Sequence, residues 1–406
     1  MSKDFKKVLV KDDRLNVSDQ ISYAVNKGGQ NMTPAQFRAI SATTSNCVFN
    51  IQVPSEQTLI DRRVLWQATV QLTISGIPPV GQRLIQYGLT DALAPFPLHA
   101  LTSVMTATIN NNSVSINMRD VLPSILRFSD KRELMRYNGY TPVMYDTYRN
   151  YADALGANNN VLGGWTQVAD NDLLPRGTFT NVAIDANPVQ VNAGTQLTSV
   201  VTFTVVEPLL LSPFIYADPE NNNQAFYGIQ NMNFVFNFGN AARAWRTANP
   251  INIGANNYSN YSVNLTSVSN SSLLFNFLTP HPDDIMPSRN VVPYYELPRY
   301  ITNVSSTIAA GTTGQVISSS LQLNQIPDKL IIFSRKVMSN QTNSDSDCFY
   351  PITGLSIQFN NQAGILSSAQ PQDLVRPSAN AKSACPSLFI DEEGMPLGYV
   401  FGFHRF

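Results

Sequence analysis

Residues 318–336, SSSLQLNQIPDKLIIFSRK, indicate the fold class of this chain. They hold two runs in which apolar and polar residues alternate, the first around Leu321 and Leu323, the second around Leu330 and Ile332. Alternation at period two is the pattern of a β-strand with one buried face. Pro327 excludes a central sheet position between the runs, and its polar neighbours favour a turn. The stretch therefore predicts two strands joined by a turn.

The same alternation recurs along most of the chain, broken by turns rich in asparagine and proline. It predicts an all-β protein with a few short helices in loops. Two helices are expected, at 119–128 with Pro123 in its first turn, and at 131–137 with Asp130 and Glu133 as a capping box. Strands are expected at 47–54, 64–76, 197–206, 229–238, 272–277, 291–295, 300–305, 316–323, 329–336, 354–359 and 398–403, with a hairpin at 102–118 around the three asparagines 110–112.

Two consecutive sets of strands indicate two β-sandwich domains. We expect an arm at 1–44, a first domain at 45–248 and a second at 249–406, which begins with an asparagine-rich linker at 249–262. The first domain carries a tyrosine-rich insertion at 138–164. An insertion this long with so many aromatic residues is expected to be an ordered excursion that packs on a neighbour, and a mobile surface loop is the alternative.

Composition limits the possible partners. Charged residues make up 14% of the 406 residues, against roughly 25% in an average soluble protein, and about a tenth are asparagine. A polar but uncharged surface suits a protein that packs against copies of itself, and an ordinary secreted or surface β-domain is the alternative. The net charge of −1 provides no overall positive field to attract nucleic acid. The local basic cluster lies in the arm, where acidic residues dilute it: Lys3, Lys6, Lys7, Lys11 and Arg14.

Cysteine use and hydropathy indicate a soluble protein that folds in a reducing compartment. The three cysteines, Cys47, Cys348 and Cys385, are far apart and odd in number, which is not a disulfide framework. Charged residues interrupt the N-terminal region where a signal peptide would have its apolar core. The longest apolar run, around 208–217, has about half the length of a membrane span. Folding and assembly in a cytoplasm are therefore expected.

One motif matches a zinc site. His281-Pro282-Asp283-Asp284 has the HPDD signature of a zinc-dependent sugar-amide deacetylase family, in which the histidine and one aspartate bind the metal and the other aspartate acts as base. That chemistry needs a third ligand, usually a histidine. Only His99 and His404 remain to supply it. A polar, proline-rich turn is the expected structure here.

A second motif resembles a calcium loop. Asn343, Asp345 and Asp347 have the spacing of its first three oxygen ligands. The loop needs glycine at its sixth position and glutamate at its twelfth, where this chain has Cys348 and Gly354. A solvated loop is expected. The sequence shows neither a phosphate-binding glycine loop nor a nucleophile elbow, so no catalytic, cofactor-binding or metal-binding residue is assigned and no enzyme is expected.

Four segments resemble a known family of viral proteins. They are VLWQATVQLTISG (64–76), FPLHALTSVMTATINNNSVSINMRDVLPSIL (96–126), SSSLQLNQIPDKLIIFSRK (318–336) and GLSIQFNNQAGILSSAQPQDL (354–374). In residue pattern and in order along the chain they are similar to the major capsid proteins of the double-jelly-roll virus lineage. That lineage includes adenovirus hexon and the capsid proteins of tailless membrane-containing phages, virophages, polinton-like viruses and large eukaryotic DNA viruses.

The resemblance implies two eight-stranded jelly rolls side by side in one chain. Three chains would form a pseudo-hexagonal capsomer that tiles an icosahedral shell. The implied partners are the other subunits of a homotrimer, neighbouring capsomers, and penton or minor capsid proteins, with no small-molecule substrate. The arm at 1–44 would face the interior and contact a membrane, the genome or a minor protein. The protein would be found in the virion, after assembly in the cytoplasm or nucleus of a host cell.

The length of the C-terminal segment is one departure from this family, and two other classes of protein are alternatives. The segment after residue 262 is short for an eight-stranded jelly roll and closes on GYVFGFHRF (398–406), so truncation, processing or a strand from a partner is expected to account for it. A single jelly-roll shell protein with a projecting domain would have a protease-sensitive hinge at 249–262. A spike or receptor-binding protein would remain a discrete oligomer and bind a glycan or a cell surface.

Overall fold

The computed structural model describes residues 6–9, 24–27, 31–128, 182–279, 294–380 and 398–402, apart from gaps at 88–89, 95, 216–224, 248, 250, 253–256, 305–306, 310, 324–326, 328, 338–342, 344–348, 360–361 and 366. The predicted helix at 131–137, the tyrosine-rich insertion at 138–164 and the HPDD motif lie outside the described residues. Strands dominate the described part, in agreement with the all-β prediction.

The strands in chain order are β1 (Lys6–Leu9), β2 (Ala24–Lys27), β3 (Asn31–Arg38), β4 (Ser41–Ala42), β5 (Asn46–Gln52), β6 (Leu59–Ile60), β7 (Leu65–Ile77), β8 (Asp91–Leu93), β9 (Thr102–Ile109), β10 (Asn112–Ile116), β11 (Val182–Asp185), β12 (Leu197–Pro208), β13 (Asn231–Phe238), β14 (Trp245–Thr247), β15 (Ser259–Thr279), β16 (Lys329–Arg335), β17 (Phe349–Tyr350), β18 (Ile357–Phe359), β19 (Gln362–Ile365) and β20 (Gly398–Gly402). The helices are α1 (Pro97–Leu101), α2 (Met118–Phe128), α3 (Pro371–Asn380) and a 3-10 helix at Ala241–Ala244.

Two antiparallel sheets build the first half of the molecule. One has the order β10-β9-β13-β5-β4, and the other has the order β11-β12-β7-β15-β3, with β6 also paired to β15. Along β7 the residues alternate between buried and half-buried over the whole strand, as the period-two pattern predicts. Both sheets therefore present one apolar face, and the two faces pack together as a β-sandwich.

Aromatic side chains fill the space between the two sheets. Trp66 of β7 lies 4.7 Å from Phe236 of β13 between ring centroids, and Phe234 lies 6.3 Å from Phe275 of β15. All four are buried, and burial of each stabilises the fold by about 1.5–3 kcal/mol. Burial also raises the pKa of the Cys47 thiol to about 11, which makes it a small core residue rather than a nucleophile.

The hairpin predicted at 102–118 is confirmed as β9 and β10. Its two-residue turn is formed by Asn110 and Asn111, with φ angles of 44° and 69°. Two successive positive φ angles define the type I′ turn, whose twist matches that of the flanking strands. Asparagine tolerates this left-handed conformation better than most residues, so the local sequence is sufficient to place the turn.

Helix α2 begins one residue before its predicted start, and the position predicted for Pro123 was wrong. The proline is the sixth residue of the helix rather than part of its first turn. Since proline has no N–H, the carbonyl of Arg119 four residues earlier receives no helical hydrogen bond from it. The guanidinium of Arg243 donates to that carbonyl oxygen instead, at 2.7 Å. A tertiary contact thus compensates the loss within the helix.

The linker predicted at 249–262 extends too far along the chain, because strand β15 begins at Ser259 and continues through the larger sheet. Asn260 and Asn270 have positive φ angles of 51° and 49°, and the register shifts at Ser259/Ser262 and at Ser269/Ser272. The asparagines thus lie at β-bulges, where one strand accommodates extra residues. Composition alone could not distinguish bulges in a long strand from a linker.

The boundary of the arm predicted at 1–44 also needs correction. Strand β3 pairs with β15, and β4 pairs with β5, so residues from Asn31 onward belong to the sandwich. Pro34 in β3 is compatible with this pairing because β3 is the edge strand of its sheet. Before it, β1 and β2 form a separate two-stranded sheet.

The region after residue 294 contains smaller sheets. Strand β16 lies between β17 and β20, β18 pairs with β19, and α3 covers a small core in which Leu374 and Tyr399 are fully buried. Of the two strands predicted within 318–336, the second is confirmed as β16. The first is not: the described residues of 300–323 include no strand, nor does the described part of the strand predicted at 291–295. Within the described part of the chain these runs meet no partner strand, and an isolated strand is not stable.

Candidate assembly surface

His99, one of the two residues that could have completed a zinc site, is fully buried beside Glu207. Its Nδ1 lies 2.5 Å from a Glu207 carboxylate oxygen, while its Nε2 accepts a hydrogen bond from the backbone N–H of Leu210 at 3.1 Å. The imidazole therefore carries its proton on Nδ1 and has no nitrogen left for a metal. His404 lies outside the described residues.

Glu207 serves as a distant cap for helix α1. The N-cap residue, Phe96, has a left-handed φ of 49° and offers no side-chain cap. The carboxylate of Glu207 accepts hydrogen bonds from the backbone N–H groups of Leu98 and His99, at 2.9 and 3.1 Å. These are among the N–H groups that a helix start leaves unsatisfied. The histidine and glutamate thus hold the loop before β9 on the sandwich, which is a structural task.

Asn343, the first residue of the calcium-like motif, makes an interior contact. It is buried, and its Nδ2 donates to the carbonyl oxygens of Ala242 and Trp245 at 2.8 and 3.0 Å. Asp345, Asp347 and Cys348 lie outside the described residues. Within the described part of the chain, no three histidine, cysteine, aspartate or glutamate side chains are grouped so that they could hold a metal ion.

A second buried polar cluster surrounds Asp91. One carboxylate oxygen accepts hydrogen bonds from the backbone N–H of Gln86 at 2.8 Å and the Thr90 hydroxyl at 2.9 Å. Burial raises the pKa of Asp91, although these hydrogen bonds act in the opposite direction. Burial, followed by the nearby Asp91 charge, raises the pKa of Tyr258 to about 12 and also raises that of Tyr261.

Asp120 of helix α2 connects the sandwich to the region after residue 294. Its Oδ1 accepts from Arg335 Nη2 at 2.7 Å, and its Oδ2 accepts from Arg299 Nη1. Arg119 lies 3.6 Å from the same carboxylate. Burial, together with the charges of Arg119 and Arg335, lowers the pKa of Arg299. Asp120 is largely buried, and its carboxylate binds two arginines that are far from it in the sequence.

Residues 300–323 lie between these two arginines, and those of them that the structure describes form no strand. We call residues 300–323 the uncharged loop, because no Asp, Glu, Lys or Arg occurs from 300 to 327. Arg299 immediately precedes it, and Arg335 ends strand β16 further along the chain; both arginines bind the carboxylate of Asp120. Eight of its large apolar side chains are exposed: Tyr300, Ile301, Val304, Ile308, Val316, Ile317, Leu321 and Leu323.

A second apolar surface lies on the sandwich. We call Val80, Val189 and Val191 the valine patch; all three side chains are exposed. Their loops are joined through the backbone of Gln190, whose carbonyl accepts from Gly81 N–H at 2.9 Å and whose N–H donates to the Gln82 carbonyl at 2.8 Å. The sequence is uncharged from 64 to 82 and from 186 to 206. The exposed Arg83 forms a β-bridge with Val189 and therefore borders the patch with a charge. Exposed apolar surfaces are typical of protein–protein contacts.

Sequence reasoning found neither surface. The tyrosine-rich segment that it proposed for subunit contacts, with Tyr140, Tyr145 and Tyr148, lies outside the described residues and stays a prediction. A signal for the uncharged loop was present in the sequence as 28 consecutive residues without charge, 300–327. The period-two pattern instead suggested paired strands there. The valine patch had no comparable signal, since two loops distant in sequence form it.

Comparisons with known proteins show which sequences and structures this chain resembles. The family model described as the first domain of the Sputnik virophage major capsid protein matches residues 3–278. The model described as the C-terminal domain of major capsid protein V20 matches residues 297–384. The putative capsid protein V20 of Sputnik virophage is 31% identical over 379 residues, which cover 90% of this chain and 62% of that protein. The chain thus spans less than two thirds of this relative's length.

Solved structures show the same similarity. The structure of Sputnik virophage determined at 3.5 Å by cryo-EM contains a chain that is 29% identical, with a TM-score of 0.76, covering 97% of this chain and 79% of that one. The crystal structure of the mavirus major capsid protein is 13% identical, with a TM-score of 0.53, covering 97% and 83%. The latter likeness concerns the fold alone. Both are double-jelly-roll proteins, and the predicted fold class is confirmed.

Proposed function

Because the chain belongs to the Sputnik virophage major capsid protein family, we propose that it is a major capsid protein that builds the icosahedral shell of a virion. The observation that carries the proposal is the family match over residues 3–278, which span both sheets of the sandwich. Its partners in the shell are other copies of itself, with penton or minor capsid proteins at special positions. Residues preceding β3 remain the proposed contact with the shell interior.

We propose a trimeric capsomer as the building unit. A closed threefold ring repeats one contact between two different surfaces of the subunit. Such contacts are easier to bury when they carry no charge, because an unpaired buried charge costs several kcal/mol. The uncharged loop meets this requirement in sequence, since no charged residue occurs from 300 to 327.

The proposed subunit has two domains whose boundary follows β15. In support, β15 lies in the first sandwich, the first family model ends at 278 and the second begins at 297. Asp120 binds Arg299 and Arg335, and Asn343 binds the backbone of Ala242. These contacts favour two domains in fixed contact over a shell domain with a hinged projection, and we expect limited proteolysis to spare residues 249–262.

The proposed role requires no catalysis. His99 has both ring nitrogens engaged, so it is not available as the third ligand of a zinc site at His281 and Asp283 or Asp284. A zinc deacetylase would contain one zinc per chain and lose it when Asp284 is replaced by alanine. Among the helices that the structure describes, none combines the length and apolar character needed to cross a lipid bilayer.

Light scattering coupled to gel filtration, followed by electron microscopy of concentrated samples, tests the proposal. We expect a discrete species near three times the 44.8 kDa chain mass and, at high concentration, ordered arrays or closed shells. A stable monomer at all concentrations would contradict the proposal. A trimer that never associates further would favour a spike protein.

A further inference from the structure

We propose that the three arginines around Asp120 form a binding site for a phosphate-class oxyanion. This arginine cluster consists of Arg119, Arg299 and Arg335, and each guanidinium contacts the Asp120 carboxylate. Three positive charges thus face one negative charge. Two of the guanidiniums remain accessible to a ligand, since the side chain of Arg119 is 42% exposed and that of Arg299 is 32% exposed. The inference goes beyond the proposed function and does not depend on it, because one subunit contains the whole site.

Within the described part of the chain, no second carboxylate neutralises the two accessible arginines. Asp120 is the one described carboxylate in ion-pair contact with Arg119 and with Arg299. Glu296 is the acidic residue nearest to Arg299 in the sequence; it is exposed, and it accepts a hydrogen bond from the Tyr294 hydroxyl at 3.2 Å. The described residues thus leave an excess of positive charge at this position, which an anion from outside the chain can balance.

Arg119 and Arg299 approach the same oxygen of Asp120, so their guanidiniums lie close together. Arg119 Nη2 is 3.6 Å from Oδ2, and Arg299 Nη1 donates to that atom. Burial lowers the pKa of Arg299 most, and the positive charges of Arg119 and Arg335 lower it further. The cations therefore repel one another, and an anion bound between them would relieve this repulsion.

Side chains, rather than the start of helix α2, form the proposed site. The backbone N–H groups of Asp120 and Val121 both donate to the carbonyl oxygen of Asn117, at 3.1 Å each. The carbonyl of Arg119 accepts from Arg243 at 2.7 Å, which holds the first turn of α2 in place. Together with its contact to Asp120, this bond positions Arg119 before a ligand arrives. A site that is already positioned loses less entropy on binding.

The guanidinium group selects the chemical class of the ligand. Its planar fork forms paired hydrogen bonds with the oxygens of a phosphate. A phosphate group offers about three acceptor oxygens, so two neighbouring arginines can share it. A free phosphate ion and the phosphodiester backbone of a nucleic acid both present this chemistry.

Isothermal titration calorimetry on the full chain, at neutral pH and constant ionic strength, tests the site with inorganic phosphate as the probe. We expect saturable binding at a single site per chain. Arg119→Gln should raise the dissociation constant about tenfold or more, because it removes one charge-assisted contact and leaves the bonds of Asp120 to the other two arginines. The matched control is Arg63→Gln, since Arg63 is also exposed but pairs with one carboxylate, that of Asp61. The control should leave the constant within about twofold, as expected for an exposed one-to-one ion pair.

Absence of saturable phosphate binding by the wild-type chain would overturn the inference, and so would an equal effect of the two variants. Thermal unfolding of the wild-type chain provides a measurement that needs no variant, because a ligand that binds the folded state raises the melting temperature. Phosphate should raise it more than chloride does at the same ionic strength. An equal effect of the two anions would contradict the site.

A titration with a single-stranded DNA oligonucleotide distinguishes the two sources of the phosphate group. Oligonucleotide binding that is weakened by Arg119→Gln, but not by Arg63→Gln, would assign the site to a nucleic-acid backbone. Phosphate binding that depends on Arg119, without such oligonucleotide binding, would assign it to the free ion.

Discussion

The first sandwich and the uncharged loop carry the same kind of alternating sequence with opposite outcomes. In β7 the alternate side chains Trp66, Ala68 and Val70 are fully buried, and strands β12 and β15 pair on its two sides. In the loop the alternate side chains Leu321 and Leu323 are about 40% exposed. Alternation thus specifies a strand that can be half buried, while burial itself depends on a partner strand and a facing sheet.

Apolar residues therefore have different roles in the sandwich and in the loop. In the sandwich they supply folding energy within one chain, and in the loop they stay exposed. Asp120 lies between these regions and holds the loop in place without burying it. Substitutions in the two regions should therefore affect different quantities.

Removal of a core ring should affect the folding of the subunit most strongly. Phe236 is fully buried, with ring centroids 5.4 Å from Phe49 and 4.7 Å from Trp66. Phe236→Ala should lower the free energy of unfolding by about 3–5 kcal/mol, measured by urea denaturation. Leu321→Ala in the loop should change it by less than about 0.5 kcal/mol. Equal losses for both variants would mean that the loop belongs to the core.

Replacement of the shared carboxylate should release the base of the loop. Asp120→Asn removes the charge that faces Arg299 and Arg335. It should lower the free energy of unfolding by about 1–2 kcal/mol, because hydrogen bonds to charged groups are worth roughly 1.5–3 kcal/mol and both arginines keep some contact with water. Amide hydrogen exchange should accelerate in 294–299 and β16 but not in β7. The control is Asp185→Asn, on an exposed position of β11, and uniform acceleration in all strands would contradict a local role.

The buried carboxylate of Asp91 should make the stability of the sandwich depend on pH. Because burial raises its folded pKa, the folded state binds this proton more tightly than the unfolded state. The resulting stabilisation is fully present below about pH 4, the unfolded value, and is lost as pH rises through the folded pKa. Relative to the wild-type chain, Asp91→Asn should gain stability as pH rises from about 4 to 7 in urea denaturation. Ser113→Ala is the control, because Ser113 is exposed and its hydroxyl does not titrate. Its difference in stability from the wild-type chain should not change with pH. The same constant difference for Asp91→Asn would refute the prediction.

The tyrosine-rich segment should contribute least to the stability of the subunit. Replacement of Tyr140, Tyr145 and Tyr148 by alanine should weaken trimers, because aromatic residues supply much of the energy of subunit contacts, while the melting of the subunit changes little. Light scattering and circular dichroism measure the two effects. Unchanged assembly would refute a role of this segment in subunit contacts.

Several elements of the fold could be predicted because their cause is local. The turn at Asn110 and Asn111 follows from the tolerance of asparagine for positive φ, and β7 and β12 follow from uninterrupted alternation. The misassigned linker shows the limit of such reasoning. Asn260 and Asn270 look like loop residues, yet they are bulges in a strand of 21 residues, because pairing with β7 provides hydrogen bonds that local propensity does not reveal.

The candidate surfaces could be predicted from the sequence less completely than the strands, because tertiary structure brings their residues together. By itself, the sequence determined the all-β class, the buried face of each regular strand and the absence of charge from 300 to 327, since these follow from residue type and period alone. Only the tertiary structure decided that the run at Leu321 stays exposed, that Val80 and Val191 share one surface, and that Asp120 holds two arginines 179 and 215 residues away. The physical reason is that strand partners and ion pairs are selected by distance in space, which the folded chain creates between residues far apart in sequence.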